Sequence, residues 1–391
     1  MPDSTHPVIG GSPIPDAAVA FSPKVLWRRL LQGELGSVRV TLGIVIIWTI
    51  FAILNDRFLT SQNLSNLFVA IAAVGTISIG VVFVLLLGEI DLSVGTVSGV
   101  SAAVMAVLNT QHGWGGWPSI AAALAVGITI GLLQGTLITF FGIPAFVVTL
   151  AGQLIWLGLL LKVLGSTGTV NINDASILSL TGTTYSDTVG WVIGAIIVAG
   201  FLGLNLMRRR TRTRGGLVVE PMLVTGVKVG VVAIAIAAVI YLFNDFRGLP
   251  LAVVILIGLV VFFEFVVKRT TFGRHVLAVG GNAEAARRSG IKVQRTRLLV
   301  FTIASTLAAA GGVLAASRLF AVSQSSGQSD LLLLAIAGPV IVGTSLFGGG
   351  GSVWSALHGA IVIGSISNGM DLLAVTSDRK YMITGGVLML A

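Results

Sequence analysis

From residue 38 onward, long apolar stretches alternate with short polar ones. A helix needs ~20 predominantly apolar residues to cross a bilayer. Reading on that length predicts twelve spans, at 38–54, 65–87, 93–108, 117–141, 145–164, 188–207, 222–243, 249–267, 298–319, 331–347, 353–370 and 381–391. The third is short and rich in glycine and serine. The tenth and eleventh are interrupted by Pro339 and a glycine cluster, and the last stops inside an apolar run, as a truncated chain would. The predicted fold class is all-α: a polytopic membrane protein with about 12 transmembrane helices (10–12), some short or broken, in one transmembrane domain over 38–391.

Ahead of that domain, 1–37 reads as a cytoplasmic tail. Residues 1–21 are rich in Pro, Ser, Gly and Asp and predict disorder. Segment 22–35, with Trp27, Arg28 and Arg29, fits either a short interfacial helix or a plain basic anchor. No small-residue cleavage site follows the first apolar run, so no secretory signal is expected.

Composition supports the hydropathy reading. Only 10% of the residues are charged, against roughly 25% in soluble domains, and mean hydropathy is +0.99. The 50 glycines suit close helix packing in lipid. The absence of cysteine excludes disulfides, thiolate metal sites and cysteine nucleophiles. The net charge of +9 does not point to nucleic acid, because the basic residues cluster in a few loops. With a cytoplasmic N-terminus and alternating spans, 17 of the 24 basic residues fall on the cytoplasmic side. That bias predicts this orientation and an even number of spans.

Two connections are long. The one at 165–187 is rich in Thr, Ser and Asn and is expected outside. The one at 268–297 is expected in the cytoplasm. Within it, 282–290 has the marks of a short helix. Asn282 suits the N-cap, Glu284 the first turn and Arg287 and Arg288 the last. Ala283, Ala285 and Ala286 are strong helix formers, and Gly290 suits the left-handed position after the last turn. A two-turn helix is not stable alone, so it either docks on a partner or ties two spans together.

GEIDLSVG (88–95) places two carboxylates between apolar segments. Acids at bilayer depth are costly and usually face a cavity or a partner. Three arrangements fit: a solvated turn, Asp91 capping the next helix through amides near Ser93 and Val94, or a motif lining a cavity. Asp91 is favoured as a cap at a helix break, and Glu89 as a cavity or subunit contact. Gly88 and Gly95 would permit the break. Ser93, Gln134, Gln153 and Asn368 are further candidates, either bonding across helices or lining a translocation path. Lys228 and Glu264 are expected to snorkel. The four histidines are scattered and suggest no metal site. No GxxxxGK[ST] is present, so no nucleotide site of that kind is expected. The run at 348–352 reads as a tight turn.

Four stretches carry a family resemblance: GEIDLSVG (88–95), IPAFVVTLAG (143–152), GRHVLAVGGNAEAARRSGI (273–291) and VGTSLFGGGGSVWSALHGAIVIGSISNGMDLL (342–373). They resemble the permease subunits of ABC importers for monosaccharides, the ribose/galactose/xylose group. Extra length in the middle and NDFRGLPLAVV (244–254) are most similar to the xylose type. The resemblance implies a bacterial inner-membrane subunit that dimerises in the lipid bilayer. It also implies a cytoplasmic ATPase subunit and an extracytoplasmic sugar-binding protein as partners. ATP would be used by the partner, and the chain would need no cofactor and have no catalytic residue. Segment 282–290 would be the coupling helix, with Asn282, Glu284, Ala285, Ala286, Arg287, Arg288 and Gly290 at the ATPase. The rival classes are an ion-coupled secondary transporter, a membrane enzyme using Glu89 and Asp91 as acid and base, and a related permease for another small solute.

Overall fold

The computed structural model describes residues 36–390 apart from 217, 218 and 220. The segment expected at 22–35 lies outside the described residues. The chain opens with α1 (Gly36–Leu54), α2 (Ser61–Leu86), α3 (Val94–Thr110), α4 (Gly116–Thr139) and α5 (Ala145–Leu164). The connection that follows folds into β1 (Thr169–Asn171), α6 (Ala175–Gly182) and β2 (Thr184–Tyr185). Next come α7 (Asp187–Arg214), α8 (Met222–Asn244), β3 (Leu249–Pro250) and α9 (Leu251–Arg269). The second long connection forms α10 (Thr271–Gly281) and α11 (Ala283–Arg288). It leads into α12 (Val293–Leu319), β4 (Ala321–Ser323), α13 (Ser329–Ile341), α14 (Trp354–Leu372) and α15 (Ser377–Leu390).

Among the described residues, α2, α4, α5, α7, α8, α9 and α12 are long and apolar enough to cross a membrane, and shorter apolar helices lie in α1, α3 and α13. This is a multi-pass membrane protein. Its centre is α2, most of whose apolar length is buried, packed against α12, α14, α13 and α9. Small residues make that packing close. A Cβ on Gly80 would fall 2.9 Å from the Ala304 carbonyl oxygen, and one on Gly131 would fall 2.6 Å from the Thr302 Cα. Such contacts replace the hydrophobic drive that lipid cannot supply.

Helices α7 and α8 are the opposite case. They pack on each other, and most of their apolar length is left exposed. Strands β2 and β3 pair antiparallel, Thr184 with Pro250 and Tyr185 with Leu249. That pairing fixes the starts of α7 and α9 at one end of the bundle. Both helices finish in basic residues at the other end, the end that carries α11. Strand β1 pairs with β4 in the same way.

The expected elements need four corrections. The 165–187 connection is structured, so two short strand pairs accompany the helices. Helix α7 runs through the RRRTRTR segment to Arg214 instead of stopping at 207, because arginine is a good helix former once the helix leaves the apolar layer. Helix α12 begins at Val293, five residues before the expected 298. The span expected at 331–347 ends at Ile341, and 342–353 is a glycine turn with Gly343, Gly348 and Gly349 at positive φ.

Candidate functional site

Three segments far apart in sequence meet at the end of the bundle that carries α11. Helix α2 stops at Leu86, and Gly88 adopts φ 73°, a conformation open to glycine. The Leu86 carbonyl accepts a hydrogen bond from the Gly349 amide at 3.0 Å. A Cβ on Gly88 would fall 2.9 Å from the Phe347 carbonyl oxygen, and one on Gly348 would fall 2.6 Å from that of Gly280. A Cβ on Gly280 would overlap the Leu86 carbonyl oxygen. The GEIDLSVG break, the end of α10 and the glycine turn before α14 are thus in backbone contact. Glycine is required here because the backbones touch.

Charged groups brace the junction. Asp91 is buried, and its Oδ1 accepts the Ser93 amide at 2.8 Å and the Ser93 hydroxyl at 2.7 Å. Gln134 on α4 donates to Ser93 Oγ at 2.9 Å. Asp91 was expected to cap α3 itself; Ser93 instead occupies the N-cap, and Asp91 holds that residue's amide and hydroxyl at the foot of α3. Glu89 lies 2.9 Å from Arg297 on α12, an ion pair without hydrogen-bond alignment. Its neighbour is this chain's own arginine, and the side chain is 13% exposed. Glu264, expected to snorkel, instead accepts the Val353 amide at 2.8 Å and the Ser352 hydroxyl at 3.0 Å. It is also 3.6 Å from Lys268. It therefore anchors the turn at the start of α14. Sequence reading missed this role because nothing local links residue 264 to residue 353.

Below the junction, Asn282 caps α11, its side-chain oxygen accepting the Ala285 amide at 2.9 Å. Gly290 is left-handed at φ 83°. Glu284 accepts from Arg287 Nε and Nη2 at 3.0 Å and from Arg288 Nε at 3.1 Å. Those arginine bonds hold its carboxyl below the usual range. Two expectations change. Ala286 is turned inward among Val276, Val279 and Val300, while Ala285 is exposed. Arg287 and Arg288 already share Glu284, so a partner would meet a patch whose charge is reduced to a single positive unit. Helix α10 was also missed. Its signal is in the sequence: Thr270 caps Gly273 at 3.1 Å, and Phe272, Val276 and Val279 repeat at helical spacing.

Two candidates lie away from the junction. Asn368 on α14 exchanges amide bonds of 2.8 and 3.0 Å with Asn63 near the start of α2. It borders a cavity of about 210 Å³ that also touches Asn66, Arg318, Ser367 and Asp371. Gln153 is half-buried on α5. The junction thus gathers Glu89, Asp91, Ser93, Gln134 and the α11 residues, and leaves Asn368 at the far end of the bundle.

The family model for "Branched-chain amino acid transport system / permease component" matches residues 63–391. The chain is 37% identical to the xylose transport system permease protein XylH of Haemophilus influenzae, over 90% of this chain and 93% of that one. It is equally identical to XylH of Escherichia coli K12, over 86% and 85%. The ribose import permease protein RbsC of Bacillus subtilis is 30% identical over 90% and 89%. No solved structure matches. The chain is a transport component and not an enzyme. It belongs to the family of branched-chain amino acid transport system permease components.

Proposed function

We propose that this chain is the transmembrane subunit of an ATP-driven sugar importer whose cargo is a pentose, xylose first. The observation that carries this reading is the junction. Helix α10 bears on the Leu86 carbonyl through Gly280, directly ahead of the GEIDLSVG break, and α11 follows α10 after one residue. A displacement of α11 by an outside partner therefore reaches the α2–α3 break and the turn before α14 through backbone contacts. An importer needs such a link, because nucleotide chemistry and solute movement occur on different subunits. In this reading the α11 end faces the cytoplasm and the chain crosses twelve times from a cytoplasmic N-terminus. The basic ends of α7 and α9 support that orientation. The ATPase would dock on Glu284, Ala285, Arg287 and Arg288. A sugar-binding protein would dock at the other end. A second copy of the chain would complete a path that opens to each side in turn.

The likeness to xylose permeases over most of the chain supports xylose. The likeness to the ribose permease keeps a second pentose as the natural competitor in the assay. The test is reconstitution with the neighbouring ATPase and binding protein in liposomes. ATP-dependent uptake of xylose above ribose and arabinose is expected. Uptake by the chain alone on an ion gradient would overturn the reading, and preference for another solute would overturn the substrate assignment.

A further inference from the structure

The cavity beside Asn368 lies at the end of the bundle away from α11. It measures about 210 Å³ and is walled by α2, α12, α13 and α14. Its wall on α2 runs from Asn66 to Val74, about 12 Å at 1.5 Å per residue. The space therefore reaches from the bundle end well into the apolar layer. Asn66, Arg318 and Asp371 are exposed at its mouth, and Ser367 and Asn368 are half-buried. Further in, the wall is apolar, with Ile71, Val74, Ala360 and Ile363.

Three of the polar side chains are unspent. Among the described residues, Asn66, Arg318 and Ser367 make no side-chain hydrogen bond. Arg318 is attracted by the Asp371 charge without bonding to it, and Asp371 is held by Lys380 of α15. Asn368 gives one N–H and one lone pair to Asn63, and keeps one of each. The lining thus offers free donors and free acceptors together. An ion needs only one of the two, whereas every hydroxyl of a sugar is both. The lining also holds one cation and one anion, which suits a neutral solute. The apolar inner wall matches the C–H faces of a sugar ring. The volume is below the ~300–1,000 Å³ of sites for drug-sized ligands, as a single small ring requires.

We propose that this cavity is the outward-side binding site for the sugar cargo. Asn66, Ser367 and Asn368 exchange hydrogen bonds with ring hydroxyls, Arg318 donates and Asp371 accepts. The assignment rests on the importer reading above, and its test separates the two.

The chain has no cysteine, so a single introduced thiol reports on its own position. The chain is reconstituted with its ATPase in liposomes, and the reaction of a membrane-impermeant thiol reagent is timed. The probe is the free sugar that the wild-type importer takes up, xylose by expectation. Ser367→Cys should react readily without sugar and slow saturably with it, about tenfold at ~10 times the Kd. Asn66→Cys should behave alike, and carries the test if Ser367→Cys fails to assemble. Gln111→Cys, at the same end of the bundle but outside the cavity, should react at an unchanged rate. Arg318→Gln combined with Ser367→Cys should raise the sugar concentration needed by about tenfold or more, the weight of a hydrogen bond to a charged group. Absence of protection at both cavity positions would overturn the site while leaving the importer reading standing. Equal slowing at Gln111→Cys, or an unchanged concentration with Arg318→Gln, would also overturn it. Stronger protection by the aldonic acid of the same sugar would overturn it in favour of an anion site. Failure of the wild-type importer to take up any sugar would overturn the importer reading, and the site with it.

Discussion

Asp91 uses one carboxylate oxygen for both of its bonds to Ser93, and Oδ2 has no partner. Asparagine keeps the accepting oxygen and puts an amide where no bond existed. Alanine removes the acceptor. Asp91→Asn is therefore expected to retain most transport, while Asp91→Ala loses ~1–3 kcal/mol at the foot of α3, the cost of leaving buried donors of Ser93 without their acceptor. Equal loss of transport in both, at normal expression, would mean that the charge itself is required. At Gly280 even one methyl meets the Leu86 carbonyl. Gly280→Ala is expected to force the backbones apart at an overpacking cost of ~1–3 kcal/mol, and to uncouple ATP hydrolysis from uptake. Unchanged coupling would remove the junction from the mechanism. The Asp91 bond to Ser93 was legible because an aspartate side chain reaches the amide two residues on, although the helix cap itself proved to be Ser93. Gly280 was not, because nothing in a glycine codon says which distant carbonyl lies against it.

Helix α11 was legible from end to end, from the Asn282 cap to the left-handed Gly290, because capping rules are local. Which of its sides faces the protein was not, because six residues carry too little apolar pattern to fix a face. With Ala286 inward and Ala285 outward, the docking test belongs at Ala285. Ala285→Trp is expected to leave assembly in the membrane normal and to abolish co-purification of the ATPase. Ala286→Trp should instead lower the stability and yield of the chain itself. If Ala285→Trp still captures and stimulates the ATPase, this helix is not the coupling contact. At the same scale, α10 escaped reading because its cap, Thr270, follows α9 without a break, so hydropathy gives no boundary there.

For the molecule as a whole, alternating hydropathy was enough to place a helix in every predicted span, because lipid allows the backbone few other conformations. The order in which those helices touch was not readable. Pairing of α2 with α12 and α14 rests on small residues scattered over some three hundred positions. The chain as a whole also lacks the GxxxxGK[ST] motif, so membranes holding it alone should hydrolyse no ATP. Nucleotide hydrolysis by the pure chain would contradict the division of labour proposed above.

The burial of α2 has a consequence in time. This helix is among the first made, yet the neighbours that enclose it, α9, α12, α13 and α14, all lie downstream. About two hundred residues separate the end of α2 from the start of α12. At ~5–20 residues per second of synthesis, the gap lasts on the order of 10–40 s. Throughout that interval the glycine and serine faces of α2 meet lipid, or whatever insertion factor shelters them. Newborn chain is therefore most vulnerable before its second half arrives, and a ribosome stalled between α8 and α9 would leave a product whose central helix lacks its four main neighbours.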